Sequence, residues 1–413
     1  MSIRGEWNSL AHSALSFDGR AGKSSGRGHS SPRTNKTPDK ETMTPFNAET
    51  GPSEEGPTTP VRPPPARFPQ SRIAPFLPLA GLAVFLVAVF LIGRHNRQND
   101  EAEHPFFQRF QVFGTFGEIV LYHKRPAAKK ATEAALLELE DLHNRVNVYD
   151  PESELSRLNA SAADAAFACS PALWDVLQAA RRAYRTTDGA FDVTVGPLMH
   201  LWGFHAARGE WPSKDEIATA RGLVGLEKVR FLDQERAVRF SVPGMRLDLG
   251  GIIKGYALDR VAEILRDHGL KAGMVNLGGN ILALNTPGRG RLAYRIGIRN
   301  PQRPDEVLGQ ISLRKTCVAT SGNYENYRRI GDRVVTHIVD PRTGHPVADR
   351  LAVTVVTPRG VDSDVFSTAA FVGGEELARR LASETANTRI LICEADEDDS
   401  PRTIPVQWRW APD

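Results

Sequence analysis

The sequence predicts an α+β fold of mixed sheets with packed helices, preceded by a disordered segment and one transmembrane helix. Three observations carry this expectation. Many short strands are interspersed with amphipathic helical patterns, but not in strict βαβ alternation, which argues for α+β. Residues 73–93 form an uncharged, largely apolar run of roughly the 20 residues needed to span hydrocarbon. Residues 1–72 are rich in Ser, Pro, Gly and Thr, and such a stretch buries too little apolar surface to offset its ordering entropy.

Within the first 72 residues, Arg62-Pro-Pro-Pro-Ala-Arg67 is the clearest disordered stretch, and Met43 offers a later start. Arg67 and Arg72 precede the apolar run; Arg94 and Arg97 follow it, then Asp100, Glu101 and Glu103. The flanking positive charges nearly balance. We expect an uncleaved anchor with the N-terminus inside and the bulk of the chain outside, a cleaved signal peptide being the alternative. Residues 94–106 then read as a linker and 107–413 as one folded domain, large enough for a sizeable core. Lys and Arg (52) nearly match Asp and Glu (49), so no nucleic acid or other polyanion is implied. Cys169, Cys317 and Cys393 show no ligand or CxxC spacing and read as small core residues.

Residues 107–113 and 118–122 read as paired strands joined by the turn Gly114-Thr-Phe-Gly117. A helix follows with Ala135, Leu139, Leu142 and Val146 on one face. The polar stretch from Tyr149 to Asn159 ends in a short helix. Ser170-Pro171 is an N-cap and first-turn pair for a helix carrying Leu173, Val176, Leu177, Ala180 and Tyr184. Strands are expected at 229–232 and 237–241. Leu247-Asp-Leu-Gly-Gly-Ile-Ile-Lys-Gly-Tyr-Ala257 opens as a short strand with Asp248, breaks at Gly250-Gly251, and restarts as a helix burying Leu258, Val261, Ala262 and Leu265, stopped by Gly269. Residues 274–281 form a buried strand with a glycine turn, 294–298 another strand, and 311–319 a long one. Residues 334–339 form a strand carrying His337, before the turn Asp340-Pro341-Arg-Thr-Gly344. A β-branched strand at 351–356 precedes a short helix from Asp362 and a last helix beginning at 377–382.

A glycine turn at a helix mouth beside Lys254 suits an anion, because backbone N–H groups and the helix dipole both favour phosphate there; a tight turn with a merely solvated lysine is the other reading. The spacing matches neither GxGxxG nor GxxxxGK[ST]. Asp364 and Thr368, four apart, share a helix face and form an oxygen set suited to Mg²⁺, or else a cap and a back-bonded hydroxyl. His337 is either a hydrogen-bonded structural residue or a base for an alcohol near neutral pH. Asp192 and Asp248, taken singly, could be turn residues.

Taken together, these stretches resemble a known family. Asp188-Gly-Ala-Phe-Asp-Val-Thr-Val-Gly-Pro-Leu198, the Leu247–Ala257 stretch, Asn276-Leu-Gly-Gly-Asn280, Ala319-Thr-Ser-Gly-Asn-Tyr324, His337-Ile-Val-Asp-Pro-Arg-Thr-Gly344 and Asp364-Val-Phe-Ser-Thr368 occur in the order seen in ApbE-type flavin transferases. The resemblance covers residues 107–395. It implies an ApbE-like fold and an FAD:protein FMN transferase, which cleaves FAD with Mg²⁺, attaches FMN to a threonine of a target protein through a phosphoester, and releases AMP. It implies that Tyr149, Ala190, Phe191, Asp192, Asp248, Lys254 and Ile338 line the FAD site, with Phe113 covering the flavin where the family commonly has Met. Asp364, Thr368, an oxygen at Gly251 and the neighbouring Ser367 match the metal site, and His337 matches the general base. The implied setting is a bacterial inner membrane, with the catalytic domain on the periplasmic side and a membrane redox subunit as target. A Mg²⁺-dependent FAD pyrophosphatase would use the same residues with water as acceptor. A non-catalytic flavin-binding accessory protein would have no use for His337 and Asp364.

Overall fold

The computed structural model describes residues 105–412 except 286, 288–290, 325 and 397–400. Segment 1–72, the apolar run 73–93 and nearly all of the 94–106 linker lie outside the described residues. Among the described residues no helix is long and apolar enough to cross a membrane.

Strands β1 (Phe106–Val112) and β2 (Thr115–Leu121) form a hairpin. Its turn is Phe113-Gly114, with φ of 50° and 71°, rather than the expected Gly114–Gly117 stretch. Positive φ at both central residues gives the backbone twist that matches flanking strands. Helix α1 (Arg125–Val146) buries Ala135, Leu139, Leu142 and Val146 as its periodicity requires. Helix α2 (Glu154–Ser161) starts at Ser153, whose side chain accepts from Ser156 N. After β3 (Phe167–Ala168), α3 (Pro171–Thr186) is capped by Ser170 accepting from Leu173 N. Helices α4 (Gly196–Leu201) and α5 (Lys214–Gly222) precede β4 (Val229–Leu232) and β5 (Ala237–Phe240).

The segment before α6 (Ile253–Asp267) is not the strand expected: its ladder is one bridge, Arg246 to Val195. The chain there follows loop hydrogen bonds, Asp248 N donating to Val193 O at 2.7 Å. Strands β6 (Gly273–Leu277) and β7 (Asn280–Ala283) form a hairpin about Gly278-Gly279. β8 (Tyr294–Arg299) follows. The apolar run 311–319 is divided between β9 (Val307–Leu313) and β10 (Thr316–Gly322), because Lys315 takes φ 51° and sends the chain into a different sheet. Strands β11 (Tyr327–Ile330) and β12 (Arg333–Thr336) pair with each other, and His337 follows the end of β12 instead of sitting within it. Then come β13 (Arg350–Thr357), α7 (Gly360–Glu384), β14 (Arg389–Glu394) and β15 (Arg402–Val406). The two helices expected after Asp362 run together in α7 and meet at Gly374, where φ 72° and ψ −160° break the helix.

Eight strands form one sheet in the order β1-β2-β6-β7-β10-β13-β14-β15, every pair antiparallel. Successive strand residues face opposite sides, and β13 is buried on both. Val353 and Val355 join the core with α7, whereas Ala352 and Val356 join Ile296, Ile311 and Leu313 of the β8–β9 sheet. Cys393 lies in the second of these cores, Cys317 in a third with α1 and α6, and Cys169 is half-buried; all three thiols are free. Burial pushes Cys169 and Cys393 up to about 12 and Cys317 well above the usual thiol range, consistent with inert packing residues.

Helices α6 and α7 meet at two glycines. A Cβ on Gly255 would run into the Gly360 carbonyl and lie 2.6 Å from Asp364 Cβ. Across the same contact, Asp259 of α6 accepts from Gly360 N at 2.6 Å and Val361 N at 3.0 Å. A carboxylate from one helix thus satisfies the free N–H groups opening the other. This junction fixes the site.

Candidate active site

The α6–α7 junction floors a cleft of about 910 Å³, at the large end for small-molecule sites. It brings together Phe113, Tyr149, Ala190–Asp192, Asp248, Gly251, Lys254, His337, Ile338, Asp364 and Thr368, which are scattered over 250 residues of sequence. Of the residues singled out from the sequence, Ser367 alone does not line it. Its hydroxyl lies behind the floor, donating to Asp364 O at 2.9 Å and 2.9 Å from Ser321 Oγ.

Asp364 sits one turn into α7 and is held from α6. Its Oδ2 accepts from Gly255 N at 2.8 Å, and its Oδ1 is 3.8 Å from Lys254 Nζ. Thr368 Oγ1 donates to Asp364 O at 3.3 Å and lies 3.2 Å from Ser321 Oγ. The Gly251 backbone packs beside it, since a Cβ there would stand 3.7 Å from Thr368 Oγ1 and 3.0 Å from the Phe191 ring. Among the described residues no group of three or more His, Cys, Asp or Glu side chains could hold a metal. One carboxylate with hydroxyl and backbone oxygens remains, a hard donor set that suits Mg²⁺ when phosphate supplies further ligands. The residues present therefore fit that ion.

His337 faces the cleft from the end of β12. Its Nδ1 is 3.0 Å from Asn326 O, which also accepts from His337 N at 3.1 Å. A carbonyl can only accept, so Nδ1 carries the proton and Nε2 keeps the lone pair. Burial is the main cause holding the imidazole below its usual value, with Lys254 adding to it; the Asn326 hydrogen bond and Asp248 pull the other way. The ring is therefore neutral, and able to accept a proton, at neutral pH.

Asp248 Oδ1 accepts from Gly250 N at 2.7 Å, and Oδ2 is 2.7 Å from His205 Nε2. Burial opposes its ionisation, but the His205 hydrogen bond and charge, Gly250 N–H and His337 together hold it below the usual carboxylate range. Asp192 is different. Its Oδ1 accepts from Thr194 N and Oγ1 at 2.8 and 2.7 Å, and its Oδ2 accepts from Leu226 N at 3.2 Å. Burial raises it despite these bonds, which tie it to the loop before β4. Tyr149 is 69% exposed, its hydroxyl donating to Phe204 O at 3.3 Å and its ring edge-on to His205. Phe113 stands edge-on to His143, with ring centroids 5.8 Å apart.

Three partners were not legible as site residues: His205, Ser321 and the Asn326 carbonyl. His205 acts through Asp248, 43 residues away, and a backbone carbonyl leaves no signal in side-chain identity. Ser321 lies within a motif already noted, but its contact with Thr368 exists only in three dimensions.

The ApbE family model matches residues 113–392 of this chain. An Escherichia coli (strain K12) FAD:protein FMN transferase is 29% identical over 334 residues, covering 78% of this chain and 94% of that protein. A Rhodobacter capsulatus FAD:protein FMN transferase is 34% identical, covering 69% of this chain and 54% of that protein. The crystal structure of the ApbE protein of Thermotoga maritima superposes with a TM-score of 0.68 at 29% identity, covering 74% of this chain and 97% of that one. With the fold, the ordered motifs and the cleft in agreement, the chain belongs to the ApbE family.

Proposed function

We propose that this chain is an FAD:protein FMN transferase and that its acceptor is a threonine hydroxyl of a target protein. The threonine oxygen bonds to the FMN-side phosphorus of FAD, the pyrophosphate P–O bond to AMP breaks, and the hydroxyl proton passes to His337 Nε2. The observation that carries this is the pairing of a fixed, neutral imidazole with the Lys254 cation and the Asp364–Thr368 oxygen set in one cleft. A pyrophosphate donor needs charge neutralisation, and an alcohol acceptor needs a positioned base.

Lys254, at the start of α6, meets the phosphate charge together with the helix N-terminus. Asp364, Thr368 and the Gly251 backbone, backed by Ser321 and Ser367, would hold Mg²⁺. That ion would supply charge neutralisation on the pyrophosphate. Phe113 and Tyr149 offer ring faces for the flavin, and Asp248, fixed by His205 and Gly250, offers a charged acceptor. The uncharged run 73–93 supports a membrane anchor, and we place the catalytic domain outside it.

Incubation with FAD, Mg²⁺ and a threonine-bearing target domain, read by intact target mass, tests the activity. The target should gain one FMN phosphoryl group with release of AMP. Formation of free FMN and AMP with an unchanged target would identify water as the acceptor and overturn the transfer. A C-terminal reporter active only after export should be active if the chain is oriented as proposed; a cytoplasmic signal would reverse the orientation.

A further inference from the structure

The β11–β12 hairpin is anchored on one face and exposed at Tyr327, Arg329 and Val334 on the other. Ile330 and Val335 are buried against Trp202 and Phe204, and the Arg333 guanidinium stacks over Trp211 at 4.8 Å. Antiparallel register places Tyr327 opposite Thr336 and Arg329 opposite Val334; directly opposed residues share a face. That outward face carries Tyr327, 59% exposed, Val334, 55% exposed, and the exposed Arg329. Arg329 has no carboxylate partner among the described residues, Arg328 and Arg333 belong to the anchored face, and Asp332 is the hairpin's one acidic residue. The face is continuous with the cleft: Tyr327 lines the mouth beside exposed Phe116 and Tyr149, and the residue after Thr336 is His337.

We infer that the outward face of β11–β12 docks the acceptor protein through an extended segment with acidic residues beside its threonine. The inference rests on the transfer reading above. A segment laid along Tyr327, Arg329 and Val334 runs toward the end of β12, where it delivers a hydroxyl to His337. Tyr327 and Val334 supply amphipathic and aliphatic contact area, and the unpaired Arg329 between them selects a carboxylate and rejects a cation. Arg329 and Val334 lie away from the flavin cleft, so recognition of the acceptor is separable from recognition of FAD.

The test uses two fluorescein-labelled peptides, one with a threonine flanked by aspartates and one with lysines in their place. Fluorescence anisotropy reads their binding to the FAD-loaded full chain. Wild type should bind the acidic peptide at least about tenfold tighter, with the preference shrinking as salt rises. Arg329→Glu should remove or invert the preference, and Val334→Asp should weaken acidic-peptide binding, both with wild-type FAD affinity by flavin fluorescence. Equal binding of the two peptides, an unchanged preference in Arg329→Glu, or loss of FAD affinity together with peptide affinity would overturn the assignment. Peptide binding is read without turnover. Selective docking without FMN transfer would therefore sink the activity and leave the surface standing, whereas normal transfer by Arg329→Glu would sink the surface alone.

Discussion

Gly255→Ala probes the junction on which the site is built. The added methyl would meet the Gly360 carbonyl and lie 2.6 Å from Asp364 Cβ and 2.7 Å from Gly360 C. Comfortable contacts between such atoms need about 3.5–4.0 Å, so α6 and α7 must part by roughly 1 Å. Both partners are backbone or helix-anchored, and neither can rotate away. The separation stretches the 2.8 Å bond from Gly255 N to Asp364 Oδ2 and the Asp259 cap on Gly360 N. Overpacking of this kind costs about 1–3 kcal/mol, and weakening a hydrogen bond to a charged group adds about 1.5–3 kcal/mol at most. We expect a loss of about 2–4 kcal/mol in denaturant unfolding. Displacing Asp364 from Lys254 by that amount should also lower transfer about 10²-fold. Gly222→Ala, where nothing lies within 4 Å of the added Cβ, serves as control and should stay within about 0.5 kcal/mol. Wild-type stability and turnover in Gly255→Ala would refute the argument that this contact sets the site.

Three further outcomes follow from the geometry. Asp364→Asn keeps an acceptor for Gly255 N–H but removes the charge, so transfer should fall by at least ~100-fold. Chelation of wild type should do the same, and chelator-resistant activity would remove the metal from the account. His337 titrates below the usual histidine value through burial and Lys254, so transfer should already be at its plateau at neutral pH and decline only as pH falls through that lowered value. Lys254→Met should move this acid limb to higher pH, and an unmoved limb would separate the two groups. His205→Ala leaves Asp248 buried with one donor fewer, a change of about 1–3 kcal/mol; FAD affinity by fluorescence titration should fall roughly tenfold and recover in His205→Gln, and unaffected binding would make the pair incidental.

Much of this was legible locally. The faces of α1, α3 and α6 follow from apolar spacing, because helix periodicity is written within a dozen residues. The ordered motifs singled out residues that, all but Ser367, line one cleft. What failed was information that only pairing supplies. The apolar run through 311–319 gives no sign that Lys315 takes positive φ and splits it between sheets. Likewise, an extended stretch such as 247–250 looks like a strand until its partners prove to be the Val193 carbonyl and Asn159 side chain. Asp192 matched a flavin-site position and lines the cleft, but that it also accepts from Thr194 and Leu226 depends on a loop 34 residues away.

The central claim is that His337 serves the acceptor and not the flavin. Its Nδ1 is committed to the Asn326 carbonyl, leaving Nε2 to take the threonine proton. The direct measurement is FAD affinity and FMN transfer on one preparation of His337→Ala. The account predicts FAD binding within about twofold of wild type and transfer reduced by at least ~100-fold, the size expected for a lost general base. Transfer near the wild-type rate with intact FAD binding, or binding and transfer falling together, would contradict it.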